Sequence, residues 1–210
     1  MNLLECLVAL ALCMLLLNPL LKTSADLLTK QIEFEKTQLL VSEGERALEL
    51  IGRAIRMAGY RSIHSDQHRK SVDQWIEVQK KIGYQGSDSL TIHHELSTGT
   101  DFDCIGNPLN RDRTKHGLTR QGFLVDRQVG VAKGAKVNGG SLICQSLDRQ
   151  GRLQNTTLMN GLNTLRIEEM NTPAPQAVSG QKRFKVIVQM TDGASLNIER
   201  ERTFSTRNLL

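Results

Sequence analysis

The chain has 210 residues, of which 39% are hydrophobic and 4% aromatic, and its formal net charge is +5. This length fits one domain with an appendage. The aromatic residues, five Phe, two Tyr and one Trp, suffice for one small sheet-based core and exclude a second one. Much of the apolar sequence lies at the amino terminus, so the remainder is a polar body.

The first predicted element is an apolar helix that begins the chain. Residues 1–21 read MNLLECLVALALCMLLLNPLL, and four residues interrupt this apolar run: Asn2, Glu5, Asn18 and Pro19. As a helix, this stretch spans about 31 Å, roughly the thickness of a bilayer core. We therefore expect a transmembrane segment at residues 1–25. A carboxylate such as Glu5 costs about 2.5–3.5 kcal/mol or more in hydrocarbon, so it is expected to have a function and a partner.

A cleaved secretory signal is the alternative interpretation of the same segment. Thr23 and Ala25 are small residues at a suitable spacing for signal peptidase, and cleavage after Ala25 would release a soluble periplasmic or surface-binding module. The missing basic n-region, the acidic Glu5 and the helical pattern beyond the cut all argue against this interpretation. Because cations mark the cytoplasmic side of a span and none precedes Lys22, we expect that a basic leader has been removed before Met1.

Residues 26–60 predict the amphipathic second half of the same helix. The sequence GERALELIGRAIRMAGYRS has a period of 3.6, with one apolar stripe made of Ala47, Leu48, Ile51, Ala54, Ile55 and Ala58. Charged residues alternate with this stripe and face away from it: Arg46, Glu49, Arg53 and Arg56. Gly59 follows the stripe at the position of a C-cap glycine. We expect the stripe to cover one face of a sheet.

Residues 61–210 predict a globular β-rich domain. Alternating or short apolar runs indicate strands at SLTIHHEL, SLICQSL and GLNTLRIEE, while residues 104–152 otherwise appear irregular. RFKVIVQMTDGASLNIERE predicts a hairpin with a type I′ turn at Asp192–Gly193, and NTPAPQAVSGQ before it predicts a loop. The fold class is therefore α+β, with a long amino-terminal helical spine packed on an antiparallel sheet.

The four cysteines fall into two groups. Cys6 and Cys13 lie seven residues apart in the apolar helix, where packing is the plainest role. Cys104 and Cys144 lie in the polar body, and in an exported chain such a pair suggests a disulfide. Its loop of roughly 40 residues would contribute about 4 kcal/mol on the chain-entropy account. A metal site is the alternative, but further ligands at suitable spacing are lacking.

Motifs for catalysis or cofactor binding are weak throughout the sequence. His64, Asp66 and His68 lie close together without a further cluster to complete a metal site. His93 and His94 are adjacent in a predicted strand, so they face opposite sides. GVAKGAKVNGG lacks the ending of a phosphate-binding loop, and no serine lies in a nucleophile elbow. We expect a non-enzymatic protein without a cofactor.

Basic residues are concentrated between Cys104 and Arg152. This stretch has nine Lys and Arg against three Asp, a difference of +6 compared with +5 for the whole chain. A contact surface for anions is predicted at Arg111, Arg113, Lys115, Arg120, Lys133 and Lys136. Nucleic acid is the less favoured partner because Phe123 is the one aromatic residue available for stacking. A solvated basic surface is the plainer interpretation.

Several segments resemble a known family. MNLLECLVAL resembles the mature amino terminus of type IV pilins and pseudopilins, in which a glutamate is the fifth residue and an apolar run follows it; Met1 stands where Phe is usual. RALELIGRAIRMAGYRS, GSDSLTIHHE, DCIGN and GGSLICQ resemble, in the same order, segments of PilW-like minor pilins. The resemblance touches residues 1–61, 86–107 and 139–145.

This resemblance implies a structural role in a filament. A prepilin peptidase would cut before Met1 and methylate the new amine, and Glu5 would pair with the Met1 amine of a neighbouring subunit. The helix would first anchor the chain in the inner membrane, with the carboxy-terminal domain in the periplasm, and later join the filament core. The implied partners are the major pilin and other minor pilins of a complex that primes pilus assembly at the tip. A J-like pseudopilin of a type II secretion system is the alternative within the same superfamily.

Overall fold

The computed structural model describes residues 2–61, 75–131, 137–170 and 181–206. Within these residues one helix, α1, is followed by seven strands, and every strand pairs antiparallel with its neighbours in chain order. This arrangement confirms the predicted α+β class. The elements are α1 (Leu3–Met57), β1 (Ile76–Gln79), β2 (Ser89–Glu95), β3 (Leu118–Asp126), β4 (Gly140–Leu147), β5 (Leu153–Met170), β6 (Arg183–Thr191) and β7 (Asn197–Ser205), with short 3₁₀ turns at Tyr84–Gly86 and Arg111–Arg113.

The chain divides into two compact units, Met1–Leu39 and Leu40–Leu210. The first unit contains the apolar part of α1. The second unit contains the rest of α1 and the whole sheet, and the hydrophobic core lies in it.

The predicted apolar stripe of α1 forms the helical side of that core. All six of its residues are buried, from Ala47 to Ala58. Gly59 follows with a φ of +70°, which confirms its role at the helix end. Two glycines extend the buried face of the helix, Gly44 and Gly52. The stripe therefore packs against the sheet as the period of 3.6 indicated.

Gly52 allows the closest approach between α1 and the sheet. A Cβ atom at this position would lie 2.1 Å from Cε1 of Phe204 in β7. The ring of Phe204 thus packs directly against the helix backbone, and its side chain is almost fully buried. A larger residue at position 52 would force either the ring or the helix to move.

Replacement of Gly52 by Ala is expected to lower the free energy of unfolding by about 1–3 kcal/mol because the added methyl group overpacks the core. The matched control is Gly44→Ala on the same face, where the new Cβ would lie 3.3 Å from the flexible Met190 side chain. This control is expected to be neutral or to gain up to about 1 kcal/mol from helix propensity. Urea unfolding of the full-length chain in detergent measures both, and equal effects would contradict this account of Gly52.

Strand β5 changes partners along its length. Residues 153–162 pair with β4, and residues 162–170 pair with β6, with irregular register near Leu162. Where β5 leaves β4, the edge at Leu165 and Ile167 loses its neighbouring strand. Both side chains are fully buried, so the backbone groups along this edge need other hydrogen-bond partners.

The connection between β1 and β2 supplies those partners. Asp88 N donates to Leu165 O (2.8 Å), and Leu165 N donates to Ser87 Oγ (3.1 Å). Ile167 N donates to Asp88 Oδ2 (2.8 Å), while Ile167 O accepts from Lys80 Nζ. Lys80 Nζ also pairs with Asp88 Oδ2 at 3.0 Å. These residues therefore complete the edge of β5 in place of a strand.

Asp88 Oδ1 also accepts from Lys81 N at 3.1 Å, so both oxygens of the carboxylate are used. The Asp88→Asn substitution is expected to cost about 1–3 kcal/mol of unfolding free energy, because an amide has one acceptor oxygen and one backbone N–H loses its partner. Chemical denaturation of the full-length chain would measure this loss. Glu168→Gln is a suitable control, since Glu168 is exposed on the same strand and should shift stability by less than about 0.5 kcal/mol. A neutral Asp88→Asn variant would refute the proposed role of this carboxylate.

Strand β7 is the last strand of the sheet and carries opposite charges on its two faces. Arg202 faces α1, where its guanidinium pairs with Glu45 (2.6 Å) and Glu49 (3.4 Å). Arg200 is on this side too, with its Cγ beside Gly44. Glu201 lies on the opposite face and pairs with Lys185 of β6 at 2.7 Å.

The structure corrects several sequence predictions. Strands β1 and β3 were not expected, and the region 104–152 is less irregular than predicted, because β3 lies within it in addition to β4, the predicted strand at SLICQSL. The β6–β7 hairpin exists, but the predicted type I′ turn is wrong. Its connection is the five-residue loop 192–196, in which Asp192 Oδ1 accepts from the backbone N–H groups of Ala194 and Leu196. The predicted loop at 171–181, except for its last residue, and the His64–His68 cluster lie outside the described residues.

Candidate functional site

The first unit presents an almost continuous apolar surface between Leu3 and Leu21, before the more polar turns that begin at Lys22. Large side chains along it are exposed, for example Leu3 at 81% and Leu17 at 53%, and Cys6 and Cys13 are exposed as free thiols. By length and composition, α1 could cross a membrane. Exposed apolar patches beyond a few hundred Å² are rare on soluble monomers. We therefore take this surface as the first candidate functional site.

Glu5 lies in the first turn of α1, within this apolar surface. Its Oε2 accepts a hydrogen bond from Asn2 N at 3.0 Å, and its own N–H donates to Asn2 O at 2.9 Å. A glutamate that reaches back to the residue preceding the helix forms half of a capping box. A negative charge is also favoured at a helix amino terminus. Glu5 therefore has a partner within its own chain.

The sequence contains the pattern for this capping, although the prediction for Glu5 rested only on the cost of a carboxylate in the bilayer. Asn2 and Glu5 stand three residues apart, which is the spacing of a capping box. The predicted pairing of Glu5 with a neighbouring Met1 amine is a separate expectation. Met1 lies outside the described residues, so this pairing stays a prediction.

A second candidate site is the loop that follows β2. The structure contains the predicted disulfide between Cys104 and Cys144, with the Cα atoms 6.0 Å apart. Cys144 lies in the middle of β4 and is fully buried, and Cys104 is 8% exposed. The disulfide therefore fixes the loop between β2 and β3 against the core face of the sheet.

A buried carboxylate holds the same loop from within. Asp103 Oδ1 accepts from the backbone N–H groups of Ile105 (3.0 Å) and Asn107 (2.8 Å). Its Oδ2 pairs with Arg113 Nη1 at 3.2 Å, and the Asp103 side chain is fully buried. Arg113, one of the predicted contact residues, therefore stabilises the loop through an ion pair.

Removal of the disulfide by the double substitution Cys104→Ser and Cys144→Ser is expected to lower the unfolding free energy by about 2–4 kcal/mol, since the unfolded chain regains the entropy of the closed loop. The Cys6→Ser and Cys13→Ser pair serves as a control and should leave the stability of the globular domain unchanged. Urea denaturation of the full-length protein in detergent, followed by the fluorescence of Trp75, measures both. Equal stability of the two double variants would contradict this role.

The other predicted basic residues have different surroundings. Arg111 and Lys115 are exposed on the loop, beside the β4–β5 turn, where Thr114 O lies 3.9 Å from the position of a Cβ on Gly151. Arg120 is half-buried in β3, and its Nε has no hydrogen-bond partner in the described structure. Lys133 and Lys136 lie outside the described residues. The anion-binding surface therefore stays a prediction, with Arg111 and Lys115 as its exposed members among the described residues.

No known protein family, curated protein or solved structure matches this chain. Within the residues that the structure describes, no group of three or more His, Cys, Asp or Glu side chains could hold a metal ion. The two candidate sites are therefore an apolar helical surface with one carboxylate and a loop fixed by a disulfide.

Proposed function

We propose that this chain is a minor pilin of the PilW-like kind, which helps to prime type IV pilus assembly within a minor-pilin complex at the tip. The observation that carries the proposal is Glu5, the fifth residue of an exposed apolar helix whose later turns pack on an antiparallel sheet. The role is structural and involves no catalysis.

The two parts of α1 support this proposal by their different surroundings. Between Leu40 and Met57 the helix buries its apolar stripe against its own sheet, and Ile51 and Ile55 are fully inaccessible. The apolar turns between Leu3 and Leu21 are exposed on all sides in this chain. A bilayer, and later the helices of neighbouring subunits, would provide the apolar surroundings that these turns need.

The function assigns Glu5 a second partner upon assembly. In the isolated chain its carboxylate caps the helix through Asn2 N. Within a bundle of apolar helices it would approach the methylated Met1 amine of the next subunit. A buried charge is tolerated when it is paired with good geometry, whereas a buried lone carboxylate is strongly destabilising. This pair would fix the axial register of each new subunit.

The proposed order of processing and assembly follows from the two apolar environments of the helix, the bilayer and the bundle of neighbouring helices. A prepilin peptidase would release the mature Met1 terminus at the inner membrane, with the globular domain in the periplasm. The subunit would then leave the membrane and enter the pilus together with other minor pilins and the major pilin. An intact mass that includes residues 1–25 and a methylated Met1 would agree with this processing, while a terminus at Asp26 would contradict it.

The Glu5→Gln substitution separates the two roles of the carboxylate. Glutamine can still accept the hydrogen bond from Asn2 N, so helix formation and membrane insertion should be unchanged. The charge pair is lost, and we expect incorporation into sheared pili to fall by at least about tenfold, in line with the cost of breaking a buried ion pair. Immunoblots of the membrane and pilus fractions measure both quantities.

Glu33→Gln is the matched control because Glu33 is an exposed carboxylate further along α1. This variant should enter pili at the wild-type level. Normal incorporation of Glu5→Gln would mean that capping alone explains Glu5, and the proposal of an intersubunit pair would be wrong.

A further inference from the structure

His94 occupies the centre of a buried hydrogen-bond relay between the sheet and the disulfide-bridged loop. Its Nδ1 lies 2.9 Å from Glu95 O, which can only accept, so Nδ1 carries the proton and Nε2 is an acceptor. Gln121 Nε2 on β3 lies 3.3 Å from His94 Nε2 and 3.2 Å from Phe102 O. The amide group of Gln121 therefore donates to the histidine and to the loop at the same time.

A cavity adjoins this relay on the side of the loop. Its volume is about 200 Å³, and its walls come from the last turns of α1, from His94 and Gln121, and from the loop at residues 100–104. Phe102 lies at this cavity and is 52% exposed. The loop segment therefore rests on a space large enough for several water molecules rather than on a packed core.

Protonation of Nε2 is incompatible with the relay. An imidazolium would place an N–H donor against the amide donor of Gln121. Rotation of that amide would present its oxygen to His94, but the same oxygen would then face Phe102 O. One of the two connections is lost in either orientation.

The charged groups around His94 do not remove this conflict. Arg53 of α1 lines the same cavity and opposes a second positive charge. Asp101 favours the imidazolium, but its carboxylate already accepts from Ser97 N (2.6 Å) and Ser97 Oγ (2.7 Å). Asp103 is engaged in its ion pair, and Glu95 adjoins His94 on β2. Burial lowers the pKa of His94, and the Glu95 carbonyl and the Asp101 charge oppose that shift to a smaller extent.

We propose that residues 97–102 form a pH-sensitive latch, in which protonation of His94 breaks the His94–Gln121–Phe102 relay and releases this segment from the sheet. The end of β2 at Glu95 and the disulfide at Cys104 bound the segment on both sides. The opening is therefore local and leaves the sheet intact. The inference is independent of the proposed pilus function.

The direction of the pH dependence follows from the lowered pKa of His94. Well above the usual histidine pKa of about 6.5, the closed and open forms both carry a neutral imidazole, and the latch stays closed. As the pH falls below about 6.5, the open form binds the proton first. The open fraction then rises by up to about tenfold per pH unit until the pH reaches the folded-state pKa.

Amide hydrogen exchange by NMR on the full-length chain in detergent tests the latch between pH 5 and pH 8. The reporters are Ser97 N–H, bonded to Asp101 Oδ2, and Leu109 N–H, which donates to Asp101 O at 2.7 Å. After correction for intrinsic exchange rates, we expect their protection in the wild type to fall about threefold between pH 7 and pH 6, and by up to about tenfold per pH unit below pH 6 until the pH reaches the folded-state pKa of His94. Amides of β6 should keep their protection.

His94→Gln and His93→Gln are matched variants on the two faces of β2. Glutamine can donate and accept like the neutral imidazole, so His94→Gln should remove the pH dependence of both reporters. His93 contacts Thr119 O on the other face, and its replacement should leave that dependence intact. Protection that does not change with pH in the wild type, or a dependence that persists in His94→Gln, would overturn the proposal.

A measurement on the wild type alone keeps the test decisive if His94→Gln does not fold. The loss of Ser97 and Leu109 protection should begin near pH 6.5 and level off at the pH at which the imidazole resonances of His94 titrate. A His94 titration that leaves these amides protected would also overturn the latch.

Discussion

The contact between Gly52 and the ring of Phe204 sets the distance between α1 and the sheet, and the rest of the globular domain depends on it. Because the helix backbone itself meets the ring, the neighbouring stripe residues come close enough to be buried completely. The same approach places Glu45 and Glu49 within reach of Arg202 at the margin of the interface. Gly52 thus determines how closely α1 packs on the sheet, although it lies within the helix and not in a turn.

The sheet has its own constraint in the long strand β5. One strand serves both β4 and β6, so part of its edge would be buried without a neighbour. The β1–β2 connection satisfies this edge through Ser87, Asp88 and Lys80. The polar groups of these three residues take the place of a neighbouring strand. Strand β5 can therefore pass from β4 to β6 without leaving these buried backbone groups unpaired.

Periodicity predicted the parts of the fold in which many residues repeat one pattern. Six buried positions define the stripe of α1, and the alternation in β6 is equally clear. Strand β3 was missed because its alternation is broken: Gly122 contributes no side chain, and the space beside it is filled by Gln145 from β4. Such compensation between strands has no local signal in the sequence.

The candidate sites show the same division between local and distant causes. The disulfide followed from cysteine count and compartment, and the apolar helix followed from composition. The Asp192–Gly193 turn was misjudged because Gly193 packs against Asn138, where a Cβ would lie 2.4 Å from Asn138 Oδ1. The relay through His94 joins β2, β3 and a loop, and only the tertiary structure brings these three together.

The face-segregated charges of β7 determine how this domain can meet copies of itself. Two copies of the domain could join their β7 strands antiparallel into one continuous sheet only if a two-fold axis perpendicular to the sheet relates them. Such an axis places residues of the same face of β7 opposite each other. Arg200 and Arg202 would then oppose arginines, and on the other face Glu201 and its neighbour Glu199 would oppose glutamates. Like charges directly across a strand pair are destabilising, and charged edges prevent unwanted growth of sheets. Homotypic polymerisation through this edge strand is thereby disfavoured.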